Sequence, residues 1–334
     1  MDNEKKYKIL IVDDEENNLA LLYRTLRSKY IVEKSLSPLK AIEMLKENQY
    51  HLIISDHKMP EMDGVDFLKW AYDNCPSTMR VLLTAYSEVN ILINAINYAK
   101  IYRYVKKPFN PDELLLVVEA ALEYYQLKVE NEVLINDLKE LFSGTISAIV
   151  EALDAKDKNT AGRSKRVTYY SVKMAQKYNL SETEISRIEI AGMLHDIGMI
   201  GISDNLLVKP NQLTPEELEE IKQHVMYSVK ILDDIKHLKD TIYIIKHHHE
   251  HWDGKGYPFG ISGENIPLGA RIIAVADAYD SMMSTRAYRP PYNHQDAISR
   301  IKQAQGTQFD PQVVDVFLSI FEDDEVKEFL NSYN

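Results

Sequence analysis

The sequence predicts two domains of different class: an α/β domain built on a doubly wound parallel sheet, then a long helix leading into an all-α domain. Three observations predict it. Short apolar runs alternate with helix-spaced segments through the N-terminal third. From Pro111 a helical pattern continues without proline or glycine as far as Gly144. Beyond Gly144 the strongly patterned segments carry apolar residues at three-and-four spacing, which is the signature of helices.

The first strand is Tyr7-Lys8-Ile9-Leu10-Ile11-Val12, β-branched and apolar as a buried parallel strand requires. It runs into Asp13-Asp14-Glu15-Glu16. Leu19, Leu22 and Leu26 then mark a helix, Ile31-Val32 a second strand, and Ala41, Met44 and Leu45 another helix. Three more strands are expected at 51–55, 80–84 and 102–106. In such sheets ligands bind outside the carboxyl ends of the strands. Asp13, Asp14, Asp56, Thr84 and Lys107 all fall at those ends. Three carboxylates brought together repel, and a hard divalent cation such as Mg is the natural compensation. One of them can then accept a phosphoryl group while the metal and a lysine neutralise developing charge.

Along the stretch after Pro111, Ala120, Leu127, Leu134 and Leu141 recur every seven residues, with Val117, Tyr124, Asn131 and Leu138 between them. This alternation predicts a coiled-coil seam in which Asn131 could fix a two-stranded register, and so a homodimer. An ordinary amphipathic helix packed on its own domain is the alternative. The helical domain follows, with helices expected over 144–155, 166–178, 182–194, 216–233, 237–249 and 270–284. Ser181-Glu182-Thr183-Glu184 reads as a capping box, and Pro215 after Thr214 as a first-turn proline.

That domain holds the densest chemistry in the chain. His247-His248-His249-Glu250-His251-Trp252-Asp253 gathers four imidazoles and two carboxylates within seven residues, ahead of the turn Gly254-Lys255-Gly256-Tyr257-Pro258. Imidazole with carboxylate is a ligand set for transition metals rather than for Mg or Ca. The glycines predict that the histidine run ends a helix and opens into a loop. His195, Asp196, His224 and Asp277 fall on other predicted helices that could converge on the same point.

Composition narrows the function. A chain of 334 residues suits two domains, and 45% hydrophobic with 27% charged residues reads as soluble and globular. No apolar run is long enough to span a bilayer, and Met1-Asp2-Asn3-Glu4-Lys5-Lys6 lacks the apolar core of a signal peptide. Cys75 is the one cysteine, so no intrachain disulfide can form, and a cytoplasmic location without membrane insertion is expected. The net charge of −12 argues against broad DNA binding, which needs a basic field.

His248 to Pro258 has the form HHE-x-x-DGxGYP, and His195 to Gly198 reads HDIG. Together they resemble the HD-GYP family of cyclic-di-GMP phosphodiesterases, over roughly residues 143–321. The N-terminal segment resembles a response-regulator receiver domain. The resemblance implies a receiver domain over 1–124, a linking signalling helix over 125–142 and an HD-GYP domain of the all-α HD superfamily over 143–334. It assigns Asp56 as phosphoacceptor, Asp13 and Asp14 with Asp56 as Mg ligands, Thr84 and Lys107 as phosphate contacts, and Tyr104 as an aromatic switch. It further assigns His195, Asp196, His224, His248, His249 and Asp277 as ligands of a two-metal centre, Fe or Mn, with Asp196 bridging. His195, Asp196 and Asp277 are then the catalytic set. Two metals about 4 Å apart can activate water and stabilise both the attacking and leaving oxygens of phosphodiester hydrolysis. Arg286 and Arg289 match positions that contact ligand phosphates, and Tyr257 would line the guanine side of the cleft. His237, His247 and His251 match no ligand position and are expected as flanking or surface residues. Asp280, one turn beyond Asp277, could orient a ligand.

The sequence departs from the family in two respects. Some members bind a third metal through a glutamate and a histidine four residues apart; here those positions are Asn159 and Arg163, and a guanidinium cannot ligate. Two metals are therefore expected, with Arg163 either placing its charge near the third position or lying exposed at a helix start. The family lysine after HD-x-G is Met199, whose thioether neither donates a proton nor neutralises phosphate.

The function implied is a two-component response regulator whose output is metal-dependent opening of cyclic-di-GMP to linear pGpG, with GMP as the onward product, under control of Asp56 phosphorylation. A sensor histidine kinase is the implied partner, with GGDEF-domain diguanylate cyclases as further partners. The alternative is a catalytically weak or inactive cyclic-dinucleotide sensor or scaffold, which Met199 favours.

Overall fold

The structure, a computed structural model, describes residues 7–85, 96–156, 162–207, 209, 213–284 and 290–332. The chain divides into two compact units, Met1–Lys139 and Glu140–Asn334.

In the first unit, strands β1 (Lys8–Val12), β2 (Ile31–Ser35), β3 (Leu52–Asp56), β4 (Met79–Thr84) and β5 (Arg103–Lys106) alternate with helices α1 (Glu16–Leu26), α2 (Pro38–Glu47) and α3 (Gly64–Asn74). The five strands described are parallel, in the order β2-β1-β3-β4-β5. Successive side chains of a strand face opposite sides, and the sequence uses both. Ile9, Ile11, Ile54 and Leu83 meet α1 through Leu19 and Leu22 on one face. Leu10, Val12, Ile53 and Leu82 meet α2 and α3 through Ala41, Leu45, Phe67 and Leu68 on the other. A sheet covered on both faces needs apolar residues at every central position, which is why these strands read as continuous runs rather than alternations.

Helix α4 runs unbroken from Pro111 to Lys156. The expected interruption at Gly144 does not occur. A lone helical glycine costs only about 1 kcal/mol relative to alanine, too little to end a helix that is anchored in a core toward each of its ends. Leu114, Val118 and Ala121 pack under the sheet, and Ile146 and Val150 belong to the core of the second unit. Between them Leu127, Leu134, Leu138 and Leu141 are exposed. Val117, at the head of the expected seam, is instead buried in the first unit's own core.

The second unit continues with α5 (Arg163–Lys177), α6 (Glu182–Leu194), α7 (Asp204–Leu207), α8 (Pro215–Lys222), α9 (His224–Leu232), α10 (Lys239–Lys246), α11 (Leu268–Met283), α12 (His294–Gln303), α13 (Pro311–Ile320) and α14 (Asp324–Ser332). Both expected starts hold: Ser181 with Glu184 forms a capping box before α6, and Thr214 with Glu217 forms another before Pro215. The single helix expected over 216–233 is two, meeting at Gln223, and α5 begins three residues earlier than its apolar pattern. Val167, Tyr170 and Met174 of α5 pack with Ile272, Ile273, Ala276 and Tyr279 of α11 and with Phe317 of α13. Among the described residues no helix is long and apolar enough to cross a membrane.

Candidate functional site

The first unit gathers its five expected residues at one edge. Asp13 follows β1, Asp56 closes β3, Thr84 closes β4 and Lys107 follows β5. Carboxylate oxygens of Asp13, Asp14 and Asp56 lie within 4.8 Å of one another. The Lys107 ammonium joins two of them, 2.8 Å from Asp13 Oδ2 and 2.5 Å from Asp56 Oδ1. The other oxygen of Asp13 accepts the Glu15 N–H at 2.9 Å and the Asn18 amide at 3.0 Å, which fixes the carboxylate's direction. Burial pushes the Asp56 carboxyl up, and the Asp13 charge adds to this against the pull of Lys107. Burial works against the Lys107 charge, but its bonds to Asp13 and Asp56 hold it above the usual lysine value. Thr84 is buried at the end of β4, and Tyr104 on β5 is exposed.

In the second unit all six expected ligands converge, five of them from helix ends and turns rather than from the middle of a helix. Helix α6 stops at Leu194, so His195 is its C-cap and Asp196 opens a short 3-10 turn over Ile197–Gly201. His224 begins α9, while His248 and His249 lie in the turn just past α10. Asp277 alone sits inside a long helix, α11. Gly198 makes the first approach possible. A Cβ there would stand 1.9 Å from the His224 carbonyl oxygen, so only glycine lets the turn after Asp196 lie against the start of α9. Gly256 does the same for the following loop, where a Cβ would meet the His251 nitrogen at 2.2 Å.

Two overlapping groups result: Asp196, His224, His248 and His249, and His195, Asp196 and Asp277. Within each, one donor atom per residue lies within 4.8 Å of the others. Asp196 belongs to both. Its Oδ1 is 3.4 Å from His224 Nε2 and its Oδ2 is 3.2 Å from His195 Nε2. His195 Nε2 is also 3.4 Å from Asp277 Oδ1. None of these approaches has the alignment of a hydrogen bond, so His195, His224 and His248 each keep a buried Nε2 with no hydrogen-bond partner. Their other ring nitrogens are held. Nδ1 is 2.7 Å from the Gly192 carbonyl in His195, 2.7 Å from Ile221 in His224 and 2.6 Å from Ile245 in His248. A carbonyl accepts only from N–H, so Nδ1 carries a proton and the Nε2 lone pair points into the cluster. Buried polar atoms are rarely left unpartnered, and three imidazole lone pairs beside two carboxylates fit a metal cation.

The electrostatics agree. Burial disfavours charge on His195, but Asp196 and Asp277 outweigh it and draw a proton to the ring, pushing it up to about 10. The same field would draw a metal to that lone pair. Burial, then the neighbouring His195 and His224, push His248 down to about 3, and burial with His248 likewise keeps His249 neutral. Burial would raise the Asp277 carboxyl, but Arg163 and His195 hold it well below the usual range. Tyr257 stacks on His249 with ring centroids 4.8 Å apart, so it lies beside the cluster.

The chain matches the family model of the response regulator receiver domain over residues 9–119 and that of the HD domain over 148–313. It is 31% identical to a probable cyclic di-GMP phosphodiesterase of Vibrio cholerae, over 95% of this chain and 78% of that protein. It is also 31% identical to the cyclic di-GMP phosphodiesterase response regulator RpfG of Xanthomonas campestris, over 93% of this chain and 86% of that one. A cyclic di-GMP phosphodiesterase of Thermotoga maritima is similar to the same degree, over 93% and 90%. The chain belongs to the response regulators that couple a receiver domain to an HD-GYP cyclic-di-GMP phosphodiesterase domain. Its receiver domain implies a sensor histidine kinase as partner, and its HD-GYP domain a phosphodiesterase.

Several expectations for the HD-GYP domain need correction. Of the two expectations for His247, flanking or surface, the second fails: it is buried, its Nδ1 2.8 Å from the Tyr243 carbonyl and its ring packed between Tyr243 and Phe259. An imidazole in an apolar helix-end position packs as an aromatic, and a run of histidines hides which of them do so. Arg163 is not an exposed helix start, since its guanidinium lies 2.6 Å from Asp277 Oδ1. Asp280 does not approach the ligands' nitrogens. It pairs with Arg166 at 2.5 Å and is almost fully buried, which fixes α5 to α11. Asn159, Arg286 and Arg289 lie outside the described residues.

Three supporting residues were given no role by the sequence, and two of them, Ser228 and Lys156, lie outside its motifs. Ser228, fully buried on α9, donates to the His195 carbonyl at 3.0 Å and accepts the Gly198 N–H at 2.8 Å. It ties the turn bearing His195 and Asp196 to the helix bearing His224. Lys156, the last residue of α4, donates to the carbonyls of Ile200 and Ile202 at 2.8 Å each and of Met199 at 3.3 Å. Glu250, buried between the histidines and the loop, accepts the Phe259 N–H at 2.8 Å. A serine one turn into a helix and a lysine at a helix end give no warning of such roles, because their partners are distant in sequence.

Proposed function

We propose that this response regulator hydrolyses cyclic-di-GMP to linear pGpG, and onward to GMP, at a two-metal centre in its HD-GYP domain, under the control of Asp56 phosphorylation. The observation that carries the reading is the set of three buried imidazole Nε2 atoms, each with its Nδ1 held by a carbonyl, facing two carboxylates of which Asp196 is shared. His224, His248, His249 and Asp196 would hold one transition-metal ion, and His195, Asp277 and Asp196 the other, Fe or Mn by the mixture of nitrogen and oxygen donors. Two such ions supply Lewis-acid stabilisation of the phosphodiester and activation of water at neutral pH.

The chain's own groups do the rest. Asp196 and Asp277 offer acceptor oxygens that can orient a water. Tyr257, stacked on His249, presents a flat face for a guanine base. Arg286 and Arg289 are assigned to the phosphates on the strength of the sequence. In the receiver domain Asp13, Asp14 and Asp56 would hold Mg, with Asp56 accepting the phosphoryl group and Thr84 and Lys107 contacting it. Lys107 already spans Asp13 and Asp56, so phosphorylation of Asp56 would oblige that ammonium to change partners. The exposed leucines of α4 support a homodimer seated on this helix, and GGDEF-domain cyclases are the further partners proposed.

A second reading, a cyclic-dinucleotide sensor of little or no activity, rests on Met199. No ammonium is supplied at that position, and Lys156, which reaches the Met199 carbonyl, is committed to the main chain. Anaerobic turnover of cyclic-di-GMP by full-length protein reconstituted with Fe(II) or Mn(II) separates the two. The phosphodiesterase reading expects pGpG to accumulate with two metals per chain. Tight nucleotide binding with two metals and no product would leave the sensor. Three metals per chain would overturn the two-metal assignment.

A further inference from the structure

Arg163 opens α5, where Gly162 turns the chain with φ +74° and donates its N–H to Asp154 Oδ2 at 2.8 Å. This turn directs the arginine inward, leaving its side chain 16% exposed. Nη2 lies 2.6 Å from Asp277 Oδ1 and Nε lies 3.5 Å from Asp196 Oδ2. Asp277 Oδ1 is also the oxygen 3.4 Å from His195 Nε2. A fixed cation therefore already holds the oxygen that a metal on the His195 side would need. The other group, with His224, His248 and His249, meets Arg163 only through the longer contact to the shared Asp196.

Two physical effects act in one direction. A buried carboxylate beside a part-buried one is costly without a counter-charge, so the guanidinium stabilises the metal-free state of this half of the centre. A metal entering there must also take Asp277 from the guanidinium or share it, with two cations a few ångströms apart. An arginine cannot relieve the repulsion by losing its proton.

We propose that Arg163 is a built-in competitor for metal at Asp277, and that it makes the two halves of the centre load in order. The half formed by Asp196, His224, His248 and His249 fills first and tightly. The half formed by His195, Asp196 and Asp277 fills second and weakly, so the domain passes through a one-metal state over a range of metal supply. Arg163 acts here as a positioning residue that sets metal occupancy. The inference rests on the two-metal reading above.

The test is anaerobic titration of metal-stripped, full-length protein with Mn(II), followed by calorimetry and by elemental analysis after dialysis. Wild-type protein should take up two ions in two resolved steps. Arg163→Met, which keeps bulk and removes charge, should strengthen the second step by about tenfold or more while leaving the first within about twofold, as loss of a nearby cation requires. Arg163→Lys should restore the weak second step. If Arg163→Met loses the first step through misfolding, Arg163→Gln, which keeps hydrogen-bonding capacity without charge, must show the strengthened second step. A second step unchanged or weakened in the uncharged variants overturns the proposal and leaves the metal centre standing. A wild-type chain that takes up no Mn(II) at either step overturns both.

Discussion

The two domains solve the same electrostatic problem with different ligands. In the receiver domain three carboxylates meet at strand ends, and Lys107 lies across two of them. In the HD-GYP domain a carboxylate from a turn, Asp196, meets one from the middle of a helix, Asp277, and Arg163 lies against both. Among the described residues, each pair of carboxylates is therefore met by one lysine or arginine. What differs is the remaining donors. The receiver cluster is all oxygen with Asp14 exposed, which suits a hydrated, exchangeable Mg. The HD-GYP cluster adds four imidazoles, three with a buried and unpartnered Nε2 and the fourth, His249, kept neutral by burial, which suits a transition metal. The comparison teaches that an acidic cluster alone says little about its ion, and that its nitrogen neighbours and burial decide.

The sharpest way to break the comparison is to disable each cluster separately. His248→Ala should lower cyclic-di-GMP hydrolysis by about a thousandfold or more through loss of metal, while phosphoryl labelling of the receiver is unchanged. Asp56→Ala should abolish that labelling and leave the metal content of the HD-GYP domain intact. Initial rates, labelling with a small phosphodonor and elemental analysis on both variants decide it. Labelling lost in His248→Ala, or metal lost in Asp56→Ala, would mean that the two sites are not independent.

A smaller effect is expected at Met199. A lysine there would add charge stabilisation confined to the transition state, so Met199→Lys should raise turnover by on the order of a hundredfold with little change in nucleotide affinity. Fast wild-type hydrolysis that Met199→Lys does not improve would show that charge is supplied from elsewhere in the domain.

Smaller still is the support beneath the metal ligands. Ser228→Ala leaves the Gly198 N–H and one bond to the His195 carbonyl unmade in a buried setting, and should destabilise the domain by about 1–3 kcal/mol in a denaturant melt. A change well below this range would mean that water or a neighbour replaces the hydroxyl. Lys156, whose side chain is 22% exposed, should matter least to stability. Lys156→Met should instead accelerate hydrogen exchange in the turn 199–202 by about tenfold, with the receiver strands unaffected. Unaltered exchange in that turn would show that the three carbonyl contacts do not hold it.

Much of the architecture was legible in the sequence because it depends on local pattern. A parallel sheet buried on both faces demands continuous apolar strands, and Ile9-Leu10-Ile11-Val12 and Leu52-Ile53-Ile54 announce it. The receiver residues were legible for the same reason, since in a doubly wound sheet the chain direction alone brings the ends of β1, β3, β4 and β5 to one edge. The HD-GYP ligands were legible only through their motifs. The periodicity of α6 ends at Leu194 as expected, but nothing in it said that His195 and Asp196 would turn toward His224. That turn is set by Gly198 fitting against the His224 carbonyl and by the Ser228 hydroxyl, contacts between segments some thirty residues apart.

The sequence by itself determined the order of the two domains, the acidic edge of the sheet and which six histidines and aspartates to look for as a cluster. Only the tertiary structure decided that Arg163 points inward onto Asp277, that His247 is an aromatic of the core, and that Lys156 closes its helix on the turn after Asp196. The physical reason is that strand and helix patterns are short-range and repeat along the chain. The direction of a long polar side chain depends instead on which opposite charges and bare carbonyls the fold brings within its reach.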